Sequence, residues 1–280
     1  AGLGPHFFLA FPQFAGGARV VDSNDFSTYH ALEMQIERRF RSGFAYQFSY
    51  TWAKSLDTRS FDPAFTVYGT ANGQSASSTP FDLSNRKLNY ARSDFDRAHV
   101  AQMFAIWELP FGKSGGLRKR VLGGWQVAGG ATIQAGRPFT IYSTSTLSNV
   151  VFSPANCNGC TRREGQVHDD PVQGLKFYFD EATRARFALP GSIPEPGTLG
   201  NVGRDTFTGP GGFNLDATFL KRTALTERMS LEIRADMVNL TNTPTFGFPT
   251  ATVTSTLFGR IRDSVVSGSR KIQLGAKIHF

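Results

Sequence analysis

The sequence predicts an all-β fold: an antiparallel sheet of about seven strands, greasy on one side and wet on the other, as in a segment of a transmembrane β-barrel. Three observations lead there. The last ten residues, Lys271 to Phe280, alternate apolar and polar side chains without a break and stop on an aromatic. A second segment carries Phe44, Tyr46, Phe48, Tyr50 and Trp52 at every other position. The stretches between such segments alternate between short and long along the chain.

Successive strand side chains point to opposite faces, so a period of two makes one oily wall and one polar wall. Residues 29–40 place His30, Leu32, Met34, Ile36 and Phe40 on one face and Glu33, Gln35 and Glu37 on the other. Arg38 interrupts the oily side near the strand end, where a long side chain can reach polar surroundings. After the Arg41-Ser-Gly43 turn, the five aromatics of residues 44–53 alternate with Ala45, Gln47, Ser49, Thr51 and Ala53. Five rings on one face suit a lipid boundary with interfacial girdles. Residues 99–109 show Ala101, Met103, Ala105, Trp107 and Leu109 on one side, although Phe104 and Ile106 spoil the polarity of the other. Residues 125–135 set Trp125, Val127, Ala131 and Ile133 against Gln126, Thr132 and Gln134. Residues 213–219 set Phe213, Leu215, Ala217 and Phe219 against Asn214, Asp216 and Thr218. Residues 229–237 set Met229, Leu231, Ile233, Ala235 and Met237 against Ser230, Glu232, Arg234 and Asp236. Charged residues in mid-strand need water beside them, which a solvated lumen provides. On that side Glu33, Gln35, Glu37, Gln47, Gln126, Gln134, Asp216, Glu232, Arg234 and Asp236 face a solute or a plug.

The final strand sets Ile272, Leu274, Ala276, Ile278 and Phe280 against Lys271, Gln273, Gly275, Lys277 and His279. Its length is about that of a tilted bilayer-crossing strand, 9–11 residues. The connections are short at 41–43, long at 54–98, medium at 110–124, very long at 136–212, short at 220–228 and long at 238–270. Outer-membrane barrels have short periplasmic turns and longer extracellular loops. With the long loops outside, the seventh strand runs inward and Phe280 ends in the periplasm.

Composition agrees. The chain has 29 Gly and 14 Pro, as many turns require, and 26 Phe against 4 Met and 3 Trp. No apolar run approaches the about 18 residues of a membrane helix. The net charge is +8, but the basic residues are scattered and the densest cluster, Arg118-Lys-Arg120, reads as a solvated face. Nucleic acid is not an expected partner. No signal peptide is visible at Ala1-Gly-Leu-Gly-Pro5, so the beginning of an exported protein is expected to be missing or removed.

Tyr29-His-Ala-Leu-Glu-Met-Gln-Ile-Glu-Arg-Arg-Phe40, Gly43 and Tyr50-Thr-Trp-Ala-Lys-Ser55 resemble the barrel of TonB-dependent receptors. The closest type is the Oar-like outer-membrane transporter with a carboxypeptidase-regulatory-like domain. Ser93-Asp-Phe-Asp-Arg-Ala-His99 with Glu108-Leu-Pro-Phe-Gly112, Gly123-Gly-Trp-Gln126 through Gly136-Arg-Pro-Phe139, and Leu199-Gly-Asn-Val-Gly-Arg-Asp205 carry the same likeness. So do Asn239-Leu-Thr-Asn-Thr-Pro244 and the terminal strand, and together these span about 27 to 280. The resemblance implies a barrel of about 22 strands with a plugged lumen. Residues 1–280 are then the C-terminal portion of one such barrel domain, with the plug and N-terminal strands absent. It also implies TonB, acting through that plug, as the energy source for import of an unknown solute. The barrel assembly machinery and outer-membrane lipid are further expected partners. Gln273, Gly275, Ile278 and Phe280 resemble the terminal signal that the assembly machinery reads.

Other candidates weigh less. Cys157-Asn-Gly-Cys160 is the one cysteine pair and lies in the longest extracellular loop. With no second CxxC and no paired histidines beside it, a disulfide tightening the loop is preferred to a metal or redox site. His168-Asp-Asp170 offers too few ligands for a divalent ion. Asp94, Asp96, Arg97 and His99 are expected to form ion pairs at the membrane rim rather than catalytic acids and bases. No GxGxxG, P-loop, HExxH or GxSxG motif occurs, so no enzyme activity, cofactor or resident metal is expected. A surface adhesin binding partners through its loops is the alternative reading. A secreted β-sandwich carrying an enzyme site is a third.

Overall fold

The computed structural model describes residues 24–60, 81–82, 84–112, 116–147, 151–160, 165–170, 174–261 and 268–280. Period-two alternation produces strands at all seven expected places: β1 (Ser27–Arg41), β2 (Phe44–Asp57), β3 (His99–Glu108), β4 (Trp125–Gln134), β5 (Gly212–Ala224), β6 (Ser230–Val238) and β7 (Lys271–His279). They form one antiparallel meander in chain order, and a two-residue ladder, Ala91–Arg92, lies against β2. Among the described residues the sheet is not closed: β1 pairs with β2 and β7 with β6, so it begins and ends on strands paired on one side. Two helices are described in the connections, α1 (Leu117–Leu122) and α2 (Glu181–Phe187). Among the described residues no helix is long and apolar enough to cross a membrane, which says nothing of strands.

Tight turns follow local chemistry. Ser42 and Gly43 both adopt positive φ, 57° and 78°, the geometry a two-residue hairpin connection demands. Gly124, at φ 71°, enters β4 so close to β5 that a Cβ there would fall 2.0 Å from the Arg222 carbonyl oxygen. Only glycine fits that approach.

Most strand ends fall within two residues of expectation, and two run several residues past it. β2 continues past Ala53 to Asp57, and β5 continues past Phe219 to Ala224. In β5 the pattern inverts because Leu220 falls on the polar side and Lys221 on the apolar side. The strand persists because Lys221 reaches round the end of β4, donating to the Val121 and Gly123 carbonyls at 2.7 and 2.9 Å. The connection written as 220–228 therefore shrinks to 225–229.

The three long connections leave the same end of the meander, and the second and third fold into one cap. Here the buried apolar core lies, in Phe139, Ile141, Ala155, Tyr178, Phe179, Phe187, Val202, Phe207, Phe258 and Ile261. Phe179 sits among Phe207, Phe187 and Phe258, with ring centroids 5.6, 6.3 and 5.7 Å away. Short ladders brace the cap, pairing Pro138–Phe139 with Phe207–Thr208 and Tyr142–Thr146 with Phe152–Pro154. Asp180 caps α2, its side chain accepting from the Thr183 amide at 2.7 Å. The third connection is stitched to the second through Tyr142 N to Ala251 O, Tyr178 N to Gly259 O and Ile261 N to Lys176 O, at 2.8–2.9 Å.

Candidate functional site

Strand register decides which side chains share a wall. Leu32 stands opposite Trp52, Met34 opposite Tyr50 and Ile36 opposite Phe48. Phe48 is opposite Met103, Met103 opposite Ala131 and Ala131 opposite Leu215. The same face continues through Ala217 opposite Met237 and Met237 opposite Ile272. A slip of one residue in any ladder would have sent that stripe to the other side. Every apolar stripe of the meander therefore lies on one continuous face. Among the described residues no second layer covers it, since the members of both buried clusters lie in the long connections. Ile36 and Leu274, for instance, are 53% and 76% exposed. Aromatic and polar groups gather toward its ends. Tyr50 Oη lies 2.8 Å from His99 Nδ1 near the long connections, and Lys221 lies 4.9 Å from the Trp125 ring at the short-turn end.

The opposite face is polar. Gln35 is opposite Ser49, Ser49 opposite Gln102, Gln102 opposite Thr132 and Thr132 opposite Asn214. Farther along, Thr218 is opposite Asp236 and Asp236 opposite Gln273. Arg222 pairs with Glu232 at 2.6 Å and Arg234 with Asp236 at 2.7 Å. Phe104 and Ile106 lie on this side, opposite Gln47 and Ala45, so the anomaly visible in the sequence is real. Where this face meets the third connection, a hollow of about 390 Å³ is lined by Thr132, Gln134, Asn214, Asp216, Asn239 and Lys271 among others. Its shape is held by Asn239, whose backbone N–H donates to Asp216 and whose side-chain amide donates to the carbonyls of Thr243 and Gly268.

A buried ionic joint ties the first long connection to the second. Arg204 is sealed from solvent and meets Asp57 at 2.8 Å, Asp94 at 3.1 Å and Asp205 at 3.3 Å. Its guanidinium also donates to the Asn89 carbonyl and to Ser60 Oγ. Arg92 adds a second strap, donating to the carbonyls of Asp205, Thr206 and Phe207. Three carboxylates around one cation leave an excess of negative charge, and burial, then Asp94, push the Asp205 carboxyl well above the ordinary aspartate range. Burial likewise pushes the Tyr178 phenol up to about 12, and this hydroxyl donates to the Thr208 carbonyl.

The sequence candidates are dispersed. Of the acidic and basic group at 94–99, Asp94 joins Arg204, whereas Asp96 accepts from the Ser55 amide, Arg97 donates to the Ala135 carbonyl and His99 meets Tyr50. The expected set of rim ion pairs is thus largely a set of hydrogen bonds that knit β2 to β3 and β3 to β4. His168–Asp170 pairs as a short strand with Leu175–Phe177, and Asp169 binds Lys176. Among the described residues no group of three or more His, Cys, Asp or Glu is placed to hold a metal. Cys157 and Cys160 are disulfide-bonded and pack against the cap core. Gln273, Gly275, Ile278 and Phe280 all lie on or just beyond β7, with Gln273 and Gly275 on the polar side and Ile278 on the apolar side. Phe280 is 92% exposed.

Arg204 is the residue that sequence reasoning missed. It stands in the Leu199–Asp205 stretch, where the sequence offers it only its neighbour Asp205. Its partners Asp57 and Asp94 lie 147 and 110 positions away.

A family model described as an outer membrane beta barrel domain matches residues 5–273. No curated protein and no solved structure matches the chain.

Proposed function

Because this chain belongs to the outer membrane beta barrel domain family, and is therefore an outer-membrane protein, we propose that it forms part of the wall of a TonB-dependent transporter drawing a large or scarce solute inward. The observation that carries the reading is a seven-strand meander with one apolar face and one polar face, bearing all its long connections at one end. Hydrocarbon wets the face of Phe44, Tyr46, Phe48, Tyr50 and Trp52, while water fills the other side.

Unpaired strand edges are costly in lipid, because no water is there to satisfy their N–H and C=O groups. The outer edges of β1 and β7 therefore meet further strands, and the resemblance at Tyr29–Phe40 and Leu199–Asp205 suggests a barrel of about 22. The long connections face outward and capture the solute; Phe280, at the short-turn end, lies in the periplasm. The barrel does no bond chemistry of its own, and energy arrives from TonB through a plug. The terminal strand, with Gln273, Gly275, Ile278 and Phe280, is read by the assembly machinery.

A second reading, a surface adhesin, is favoured by the cap's own packed core, which suits a rigid binding surface. The two separate in cells. Deleting the gene for the full-length protein and deleting TonB should produce the same loss of energy-dependent solute uptake. Surface binding that persists without TonB, with no uptake to lose, would establish the adhesin instead.

A further inference from the structure

Arg97, just before β3, and Arg137, just after β4, line one small hollow at the long-connection end of the meander. Arg97 donates to the Ala135 carbonyl at 2.8 Å. The Arg137 guanidinium lies 5.0 Å from the centre of the Phe248 ring, which in turn packs 5.8 Å from Phe139 of the cap core. Both cations are thus held in place, one by a hydrogen bond and one by a ring. Among the described residues neither meets a carboxylate. Burial, and then the like charge of Arg137, hold the Arg97 guanidinium below the ordinary arginine range. Two half-buried like charges repel where water screens them poorly, and an anion between them relieves that cost.

This hollow adjoins the larger one on the polar face, since Gln134, Gly212 and Thr245 line both. Gly212 keeps the junction open: a Cβ there would stand 3.2 Å from Gln134 Nε2 and 3.3 Å from Thr245 Cγ2. Beyond it Thr132 and Asn214 are register partners, and Asp216 and Lys271 line the same space. Hydroxyl and amide groups there suit the hydroxyls of a polar solute. A volume of about 390 Å³ lies within the span of small-molecule sites, about 300–1,000 Å³.

We propose that these joined hollows bind a hydroxylated organic anion, its carboxylate or phosphate held by Arg97 and Arg137 and its hydroxyls by Gln134, Thr132 and Asn214. Guanidinium forks match either oxyanion with paired, charge-assisted hydrogen bonds, so the shared chemistry is an oxyanion on a hydroxylated body. The inference rests on the reading that the polar face lines a water-filled passage, and it names the class of solute taken there. Its test measures binding without TonB, so a protein that binds and does not import would sink only the transport reading.

The full-length protein in detergent micelles is titrated calorimetrically with glucuronate, glucose 6-phosphate, glucose and inorganic phosphate. At least one of the two sugar anions should bind about tenfold tighter than glucose and than inorganic phosphate, and the tighter of them tells carboxylate from phosphate. R97Q/R137Q should erase that preference, whereas R222Q, which removes a cation paired with Glu232 on the polar face, should keep it. Should the double glutamine variant fail to assemble, R97K/R137K carries the test. It keeps both charges but not the forks, and should weaken sugar-anion binding several-fold with glucose unchanged. Binding of neither sugar anion, equal binding of glucose, or a preference that survives substitution of both arginines would overturn the proposal. So would inorganic phosphate binding as tightly as the sugar anions, which would mark a bare anion site.

Discussion

Arg204 and Asp57 meet at 2.8 Å across 147 positions of sequence, and both side chains are almost wholly removed from water. Asp57 is the last residue of β2, and Arg204 belongs to the cap, so this contact is where the wall and the cap are joined.

Removing that cation should loosen the cap while sparing the meander. Breaking a buried ion pair by deleting one partner costs about 3–5 kcal/mol. Arg204→Gln should therefore raise amide hydrogen exchange across the cap strands and α2, with β3 to β6 unchanged. Arg204→Lys should rescue little, since a compact ammonium cannot serve Asp57, Asp94, Asp205, Asn89 and Ser60 as a planar fork does. Uniform exchange in wild type and Arg204→Gln would refute the joint.

The same cluster makes the cap sensitive to pH. Asp205 has its folded-state pKa raised, chiefly by burial. Its contribution to stability is therefore complete below the ordinary aspartate pKa and is lost as pH climbs through the higher folded value. Asp205→Asn, which cannot ionise, should flatten this dependence and match the wild type best on the acid side. The check is the pH dependence of cap protection in both proteins, followed by hydrogen exchange.

The apolar face can be tested by one charge. Phe48→Arg should destabilise the folded barrel by about 2–4 kcal/mol if that ring sits near the bilayer midplane. Ser49→Arg, one step along on the polar face, should cost far less. Equilibrium unfolding of the full-length protein from phospholipid vesicles measures both, and equal penalties would mean the wall is not two-faced.

Terminal-strand recognition can be separated from simple packing at Gly275. A Cβ added there meets nothing within 4 Å, so Gly275→Ala leaves the finished strand undisturbed. Slower outer-membrane assembly of Gly275→Ala, and of Phe280→Ser, would report the assembly machinery reading the strand. Normal assembly of both in the full-length protein would remove the assembly-signal role.

The meander was legible because its rule is local. Alternation needs only neighbours, so Leu32, Phe48, Met103, Leu215 and Ile272 announce their face one residue at a time. The register later aligned them. The cap was not legible for the opposite reason. Phe139, Phe179, Phe187, Phe207 and Phe258 follow no period, and their meeting depends on contacts across the second and third connections. The end of β5 failed locally as well, since Lys221 broke the alternation while serving carbonyls in another connection. The sequence holds 26 phenylalanines, but composition does not say where a core forms.

The shared core of the second and third long connections has an evolutionary consequence. Segments that lean on the same aromatic cluster cannot lengthen or shorten independently without unpacking one another. New surface chemistry would arise by repainting the outward residues of a fixed frame, and a change of length in one segment would be constrained by its neighbour.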